Sequence, residues 1–413
     1  MEKKPNAKYN ARMKRFDSVV SLKKKPDRVP VIPWNFHFFP SHINGMSNKD
    51  AMNDHETYYG YLKDVVLEYD FDMAPASSVY PGPCWEALGL TNWKWPGHGL
   101  ADDLTFQYLE TEVITADEYD QFLENPEVFA ARVIFPRTAS AFAPLAMLPP
   151  IHWYFNHPYL MGPFFGMPQF TEMLDNLKNL GEEWNRHSEV KNGCFAELSE
   201  LGYPTSYGGV GFTAYDTVSI WLRGNKGTMT DMYRNPDKLL SAIDICAVQQ
   251  TQLSIIQCQI SGNPRLCLFV YRGADGFMTE PHFEKFFWPS FKKQIDDILE
   301  AGFMPMPFFE GDWTGRLKYI KQLPKGKFPL HFDRIDRKAA AEALGDDFCF
   351  WGNVPVSLME HGTPQDVEED VKELIDMFAG KGGVIIDSAG AVTDHSKPEN
   401  VAAMVEATRK YGK

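Results

Sequence analysis

Arg265-Leu266-Cys267-Leu268-Phe269-Val270-Tyr271, running into Arg272-Gly273, sets the pattern on which the fold is read. The run is apolar on both faces of an extended chain, as a strand covered on two sides must be; a strand with one wet face would alternate instead. Strand-like runs recur at 303–309, 327–332, 347–352 and 382–387, the last containing Gly383-Val384-Ile385-Ile386. Between and after them, helical patterns occupy 281–301, 313–322, 336–344, 364–379 and 398–411. Strand alternating with helix implies a parallel sheet with helical crossovers. A (β/α)8 TIM barrel accounts for this best. The runner-up is an open doubly wound sheet, but no G-x-G-x-x-G follows a strand and P-loop spacing is absent, so no nucleotide cofactor is expected.

Upstream the pattern is less regular. Met13, Phe16, Val20 and Leu22 fall near helical spacing within 11–25, predicting an N-terminal helix that Pro26 stops. Pro30-Val31-Ile32-Pro33 reads as a short strand, 50–69 as an amphipathic helix and Phe71-Asp72-Met73-Ala74 as a second strand. From 84 to 168 Trp, Phe and Pro are frequent and periodicity is weak; this stretch reads as an aromatic-rich insertion, or lid, on a single domain spanning 1–413. Helices follow at 169–202 and 235–260, with Tyr207-Gly208-Gly209-Val210-Gly211 read as a strand end bent by glycine.

The chain has ample material for one large core, with 44% hydrophobic residues in 413. A net charge of -14 argues against nucleic acid, whose phosphates need a basic surface. The basic residues between Lys3 and Arg28 read as a solvated helix face. No run reaches the eighteen or so uninterrupted apolar residues of a membrane span, and Met1-Glu2-Lys3-Lys4 lacks the apolar stretch of a signal peptide, so a cytoplasmic protein without a membrane partner is expected. The six cysteines are scattered, with no C-x-x-C pair and no disulfide framework. A homodimer is compatible with all of this.

In a barrel, chemistry sits at the C-terminal ends of the strands. Those ends carry Tyr271, Glu310 and Asp312, His331 and Asp333, Trp351 and Asn353, and Asp387. Glu310 ends the apolar run Met304-Pro305-Met306-Pro307-Phe308-Phe309, where a buried carboxylate is costly unless paired or metal-bound. Glu310, His331 and Asp333 from adjacent strand ends would suit a zinc ion with an open position. The plainer reading pairs Glu310 with Arg334 or Arg316 and makes Asp333 a helix cap. Asn353 and Asp387 read as loop holders, and Arg272 as a loop salt bridge before an anion site. Asn35 and His37 follow the first strand and Tyr80 the second, so they face the same mouth, with Phe309, Tyr271, Trp351 and Asp387 as further candidates for substrate contact. If Trp34 to Phe39, Trp93-Lys94-Trp95 and Trp153-Tyr154-Phe155 contribute rings to that mouth, the substrate is apolar and flat.

Arg12-Met13-Lys14-Arg15-Phe16 with Lys25-Pro26-Asp27-Arg28-Val29-Pro30-Val31 resembles the opening of the uroporphyrinogen decarboxylase superfamily. Arg272-Gly273-Ala274-Asp275-Gly276, Phe283 to Pro289, Gly352-Asn353-Val354 and Lys397-Pro398-Glu399-Asn400 resemble its later signatures. The resemblance runs from about residue 11 onward and is weakest over 84–168. In the decarboxylases themselves, arginines after the first strand grip the porphyrinogen carboxylates and an aspartate after the second holds the pyrrole nitrogens. This chain has Asn35-Phe36-His37-Phe38 and Ala76-Ser77-Ser78-Val79-Tyr80 at those places, so a polyanion would meet an acidic protein without an arginine clamp.

The other branch comprises cobamide-dependent methyltransferases, several of which hold zinc with a His-x-Cys after one strand and a cysteine after the last. Phe308 and Glu310 stand at the first two positions and the last falls near Gly390, so the thiol-activating set is missing. The resemblance therefore points to the first methyltransferase of anaerobic O-demethylases. It implies methyl transfer from a small aryl methyl ether to the Co(I) corrinoid of a partner protein, with zinc on Glu310, His331 and Asp333, or with Asp312 or Asp333 as general acid in its place. Alternatives are a thioether or amine methyl donor, a non-catalytic tetrapyrrole or corrinoid binder and, last, a uroporphyrinogen decarboxylase.

Overall fold

The structure, a computed structural model, describes residues 6–77, 79–380 and 383–413. Met1 to Lys4, Ser78 and the start of the strand expected at 382 lie outside these residues.

Parallel strands carry the fold. We number them β1 (Asn35–Phe36), β2 (Ala76–Ser77), β3 (Gly209–Phe212), β4 (Arg265–Val270), β5 (Met304–Asp312), β6 (Pro329–Arg334), β7 (Cys349–Trp351) and β8 (Val384–Ile385). β3 to β8 form one six-stranded parallel sheet in sequence order, and β1 pairs in parallel with β2. Single parallel bridges join the two sheets at both ends, Val31 to Ile386 and Ala74 to Thr205. Continuous pairing thus covers six of the eight expected strands plus one separate pair. Prolines explain the interruption: Pro30, Pro33 and Pro75 each remove a ladder donor from the first two strands.

Helices follow the strands as the βα rhythm predicts: α1 (Ala7–Ser21), α2 (His55–Tyr69), α3 (Pro168–Glu200), α4 (Pro236–Ser261), α5 (Trp288–Glu300), α6 (Leu317–Ile320), α7 (Arg337–Leu344), α8 (Pro364–Phe378) and α9 (Pro398–Tyr411). Four expectations change. α1 ends at Leu22, which turns left-handed at φ 59°, well before Pro26. The helix expected over 50–69 is broken by Asp54, whose side chain caps α2 through the Thr57 N–H. The helix at 313–322 shrinks to two short turns, Thr314–Arg316 and α6. Gly209 and Gly211 lie within β3, where they admit α4 at close range; a Cβ on Gly209 would stand 2.8 Å from the Ser254 carbonyl oxygen. By length and mean hydropathy α4 has the makings of a membrane span, yet here its buried residues pack against β3 and α5.

The N-terminal basic residues divide: Lys8, Lys14 and Lys23 to Lys25 are exposed, as a solvated face requires, whereas Arg12, Arg15 and Arg28 turn inward. Asp72, beneath the first two strands, accepts from Arg15, from both nitrogens of Arg28 at 2.8 Å and from the Val31 N–H at 2.9 Å, while Arg12 reaches Asp70. Arg12 and Arg15 are buried. The opening motif therefore ties α1 to the base of the strands.

Candidate active site at the carboxyl end of the parallel sheet

Side chains alternate along a strand, so β5 and β6 each send every second residue to the same face of the sheet. Phe308 is in register with His331; beyond Phe309 a bulge shifts the register, and there Glu310 and Asp333 line one cavity together. The two layers differ in character. Below, Trp34 stacks on Phe308 at 4.6 Å between centroids, and His331 stacks on Trp351 at 5.0 Å. Above, Glu310 and Asp333 open into a cavity of about 630 Å3.

The cavity wall combines rings and charges. Tyr271, Phe277 and Ile220 come from the main fold, while Trp93, Phe106 and Tyr108 come from the insertion. The insertion bears a small sheet of Trp93–Pro96, Gly99–Leu100 and Gln107–Tyr108, and the Tyr108 hydroxyl donates to the Ile220 carbonyl at 2.9 Å. Glu110 secures the edge: it accepts from Arg272 at 2.7 Å and from the Asn225 N–H at 2.8 Å. Arg272 also lies over the Phe277 ring at 5.0 Å. It forms the loop salt bridge anticipated from the sequence.

Glu310 is the electrostatically unusual group. Water reaches it, but the surrounding concavity disfavours its charge, as do Asp333 and Asp216, and its carboxyl is pushed up to about 7 despite Arg272. Asp333 is raised as well, chiefly by burial, although it accepts from the Gly311 N–H at 2.9 Å. Neither Arg334 nor Arg316 pairs with Glu310: Arg334 lies 3.9 Å from Asp333, and Arg316 faces Asp275 at 3.5 Å. Asp333 is no helix cap; Asp336 caps α7.

The remaining candidates separate into those at the cavity and those away from it. His331 is buried in the lower layer, with Nε2 3.2 Å from the Ser388 carbonyl and 3.5 Å from Asp387, and burial pushes its imidazole down to about 3. Asp387, beside it, is raised well above the ordinary range by burial and accepts from the Trp34 and Ser388 N–H groups. Trp351 donates to the Ile32 carbonyl in the same layer, and Asn35 is buried in β1. Phe309 points the other way, packing on Phe291 and Trp313 beneath the helices. Asp312 is engaged by the Thr314 N–H and hydroxyl and does not line the cavity. His37 and Tyr80 flank Phe106, at 6.3 and 5.1 Å between centroids, just behind the wall. Asn353 holds the rim, donating to the Asp333 carbonyl and accepting from Arg337.

The proposed zinc set is not assembled. His331 sits a layer below Glu310 and Asp333, and among the described residues no three His, Cys, Asp or Glu side chains stand in a metal-binding arrangement. These residues do not fit a zinc ion.

Asp216 is the residue that the sequence reading missed. Fully buried, it accepts the Tyr271 and Arg272 N–H groups at 2.8 Å each and the Thr213 hydroxyl at 2.7 Å, and burial pushes it up to about 6. It fixes the loop that carries two of the cavity's side chains. Its signal is Thr213-Ala214-Tyr215-Asp216, a helix-start pattern directly after β3.

Residues 209–411 match the sequence profile of the uroporphyrinogen decarboxylase family. The superfamily resemblance therefore holds across the six-stranded sheet and its helices. Among solved structures, the chain shares its fold with a methyltransferase from Methanosarcina mazei, with a TM-score of 0.61 and 14% identity over 97% of this chain and 98% of that one. No curated protein sequence matches.

Proposed function

We propose that the eight parallel strands close into a (β/α)8 barrel, with 84–168 as its lid, and that the cavity binds a small aryl methyl ether whose methyl group passes to the corrinoid of a partner protein. The observation that carries this reading is a carboxyl group held near neutrality, Glu310 at about 7, in a cavity walled by aromatic rings. A phenolate is a poor leaving group, and a carboxylic acid close to the ether oxygen stabilises the charge that develops there. Burial in the cavity first, and the charge of Asp333 next, favour the protonated form of Glu310. Trp93, Phe106 and Tyr271 would sandwich the flat ring, and Arg272 with Glu110 would hold the wall in place. The partner's Co(I) corrinoid would supply the nucleophile. No step is assigned to zinc.

The test is single-turnover methylation of a reduced corrinoid protein from a methoxyphenol. Glu310→Ala is expected to slow it by roughly 100- to 10,000-fold. Wild-type protein inert toward the methoxyphenol while binding the corrinoid protein would reject the aryl ether.

One observation favours a second methyl donor. Two carboxylates beneath aromatic rings also suit a methylated ammonium, which rings attract and which would relieve the repulsion between Glu310 and Asp333. The two donors demand opposite protonation states of Glu310.

A further inference from the structure

From Thr138 to Thr171 the chain contains no Asp, Glu, Lys or Arg, although its net charge is -14. This segment folds against the start of α3 around a small core of Leu148, Phe170 and Met173. The core uses only part of its apolar content. Trp153 is 68% exposed, Phe155 79% and Tyr159 74%, with Met147, Ile151 and Leu160 about half exposed beside them. At about 150–250 Å2 per full side chain, these six side chains together expose on the order of 800 Å2 within fourteen residues of chain.

We propose that this surface is a homodimer interface, its occupant the same segment of a second copy. Three arguments select that occupant. A standard stable interface buries about 800 Å2 on each partner, which is the area shown. Two chains this acidic repel one another wherever carboxylates face, and 138–171 offers a surface on which neither copy presents a charge. The composition, rich in Trp, Tyr, Phe and Met and devoid of Lys, Glu and Asp, is that of a permanent interface core; a transient partner meets a more polar surface. A bilayer fits less well, because interfacial elements carry Lys or Arg on their polar side and this one has neither.

Sedimentation equilibrium of the full chain at micromolar concentration is the deciding experiment. A dimer is expected, and Trp153→Glu with Phe155→Glu should weaken it by on the order of a hundredfold while far-UV circular dichroism stays unchanged. Tyr159→Ser serves as a milder second variant, expected to weaken dimerisation in the same direction. A monomeric wild type overturns the proposal, and so does a dimer that none of these variants weakens. Monomer that pellets with phosphatidylcholine vesicles overturns it in favour of a membrane surface.

Discussion

Asp333 stands beside Glu310 at the open ends of neighbouring strands, and its charge opposes the ionisation of Glu310. An acid whose folded-state pKa exceeds its unfolded value binds more protons when folded, so stability falls as pH rises from the unfolded value toward the folded one. For Glu310 that window runs from the ordinary glutamate range up to about 7. Glu310→Gln should therefore melt above wild type at pH 8 and level with it at pH 4. Melting curves of the two proteins at both values check this, and a variant stabilised equally at both would show that charge is not the cause.

The pH dependence of turnover separates the two methyl donors. If Glu310 acts as an acid toward an ether, activity declines as pH rises through about 7; if its charge holds a cation, activity rises there. Asp333→Asn lowers the Glu310 pKa in either case, so the limb moves to lower pH. Initial rates across pH 5.5 to 9 for both proteins give the sign directly.

Asp216→Ala leaves the Tyr271 and Arg272 N–H groups without their acceptor in a buried place. The expected loss is roughly 2–4 kcal/mol in urea unfolding. Substrate affinity should fall with it, because Tyr271 and Arg272 both line the cavity. A stable variant with normal affinity would mean that the loop is held by other contacts.

At the opposite end of the strands, Asp72→Ala takes the carboxylate from Arg28 and the Val31 N–H and one of two from Arg15, which keeps Asp27. Breaking a buried ion-pair network by removing one partner costs about 3–5 kcal/mol. Asp72→Asn should recover part of it, and denaturant titration ranks the three proteins.

The later strands were legible because burial on both faces leaves a plain mark, an uninterrupted apolar run such as Leu266 to Val270. The two earlier ones were read at 30–33 and 71–74, where Pro30, Pro33 and Pro75 reduce pairing to single bridges, and the paired residues lie just beyond, at Asn35–Phe36 and Ala76–Ser77. At the site, Glu310 was legible as a lone carboxylate on an apolar strand. Its relation to His331 was not, because strand ends show which residues alternate and not how two strands are staggered. The register sets His331 against Phe308, one layer too low to share a ligand with Glu310. Phe309 was misread for a related reason, since its neighbours on β5 face inward and it must face out. Asp216 escaped notice because its pattern is that of any helix start.

The hydrogen bond from the Trp34 N–H to Asp387 spans 353 residues of chain. During synthesis, Trp34, Val31 and the strand they begin leave the ribosome long before Asp387 and Ile386 exist to meet them. For most of that time the first strand has β2 on one side and nothing on the other, an open edge of the kind on which nascent chains aggregate. The prolines that break this strand's ladder also blunt that edge, so the segment least able to pair inside the finished molecule is the one that waits longest, unpaired, outside it.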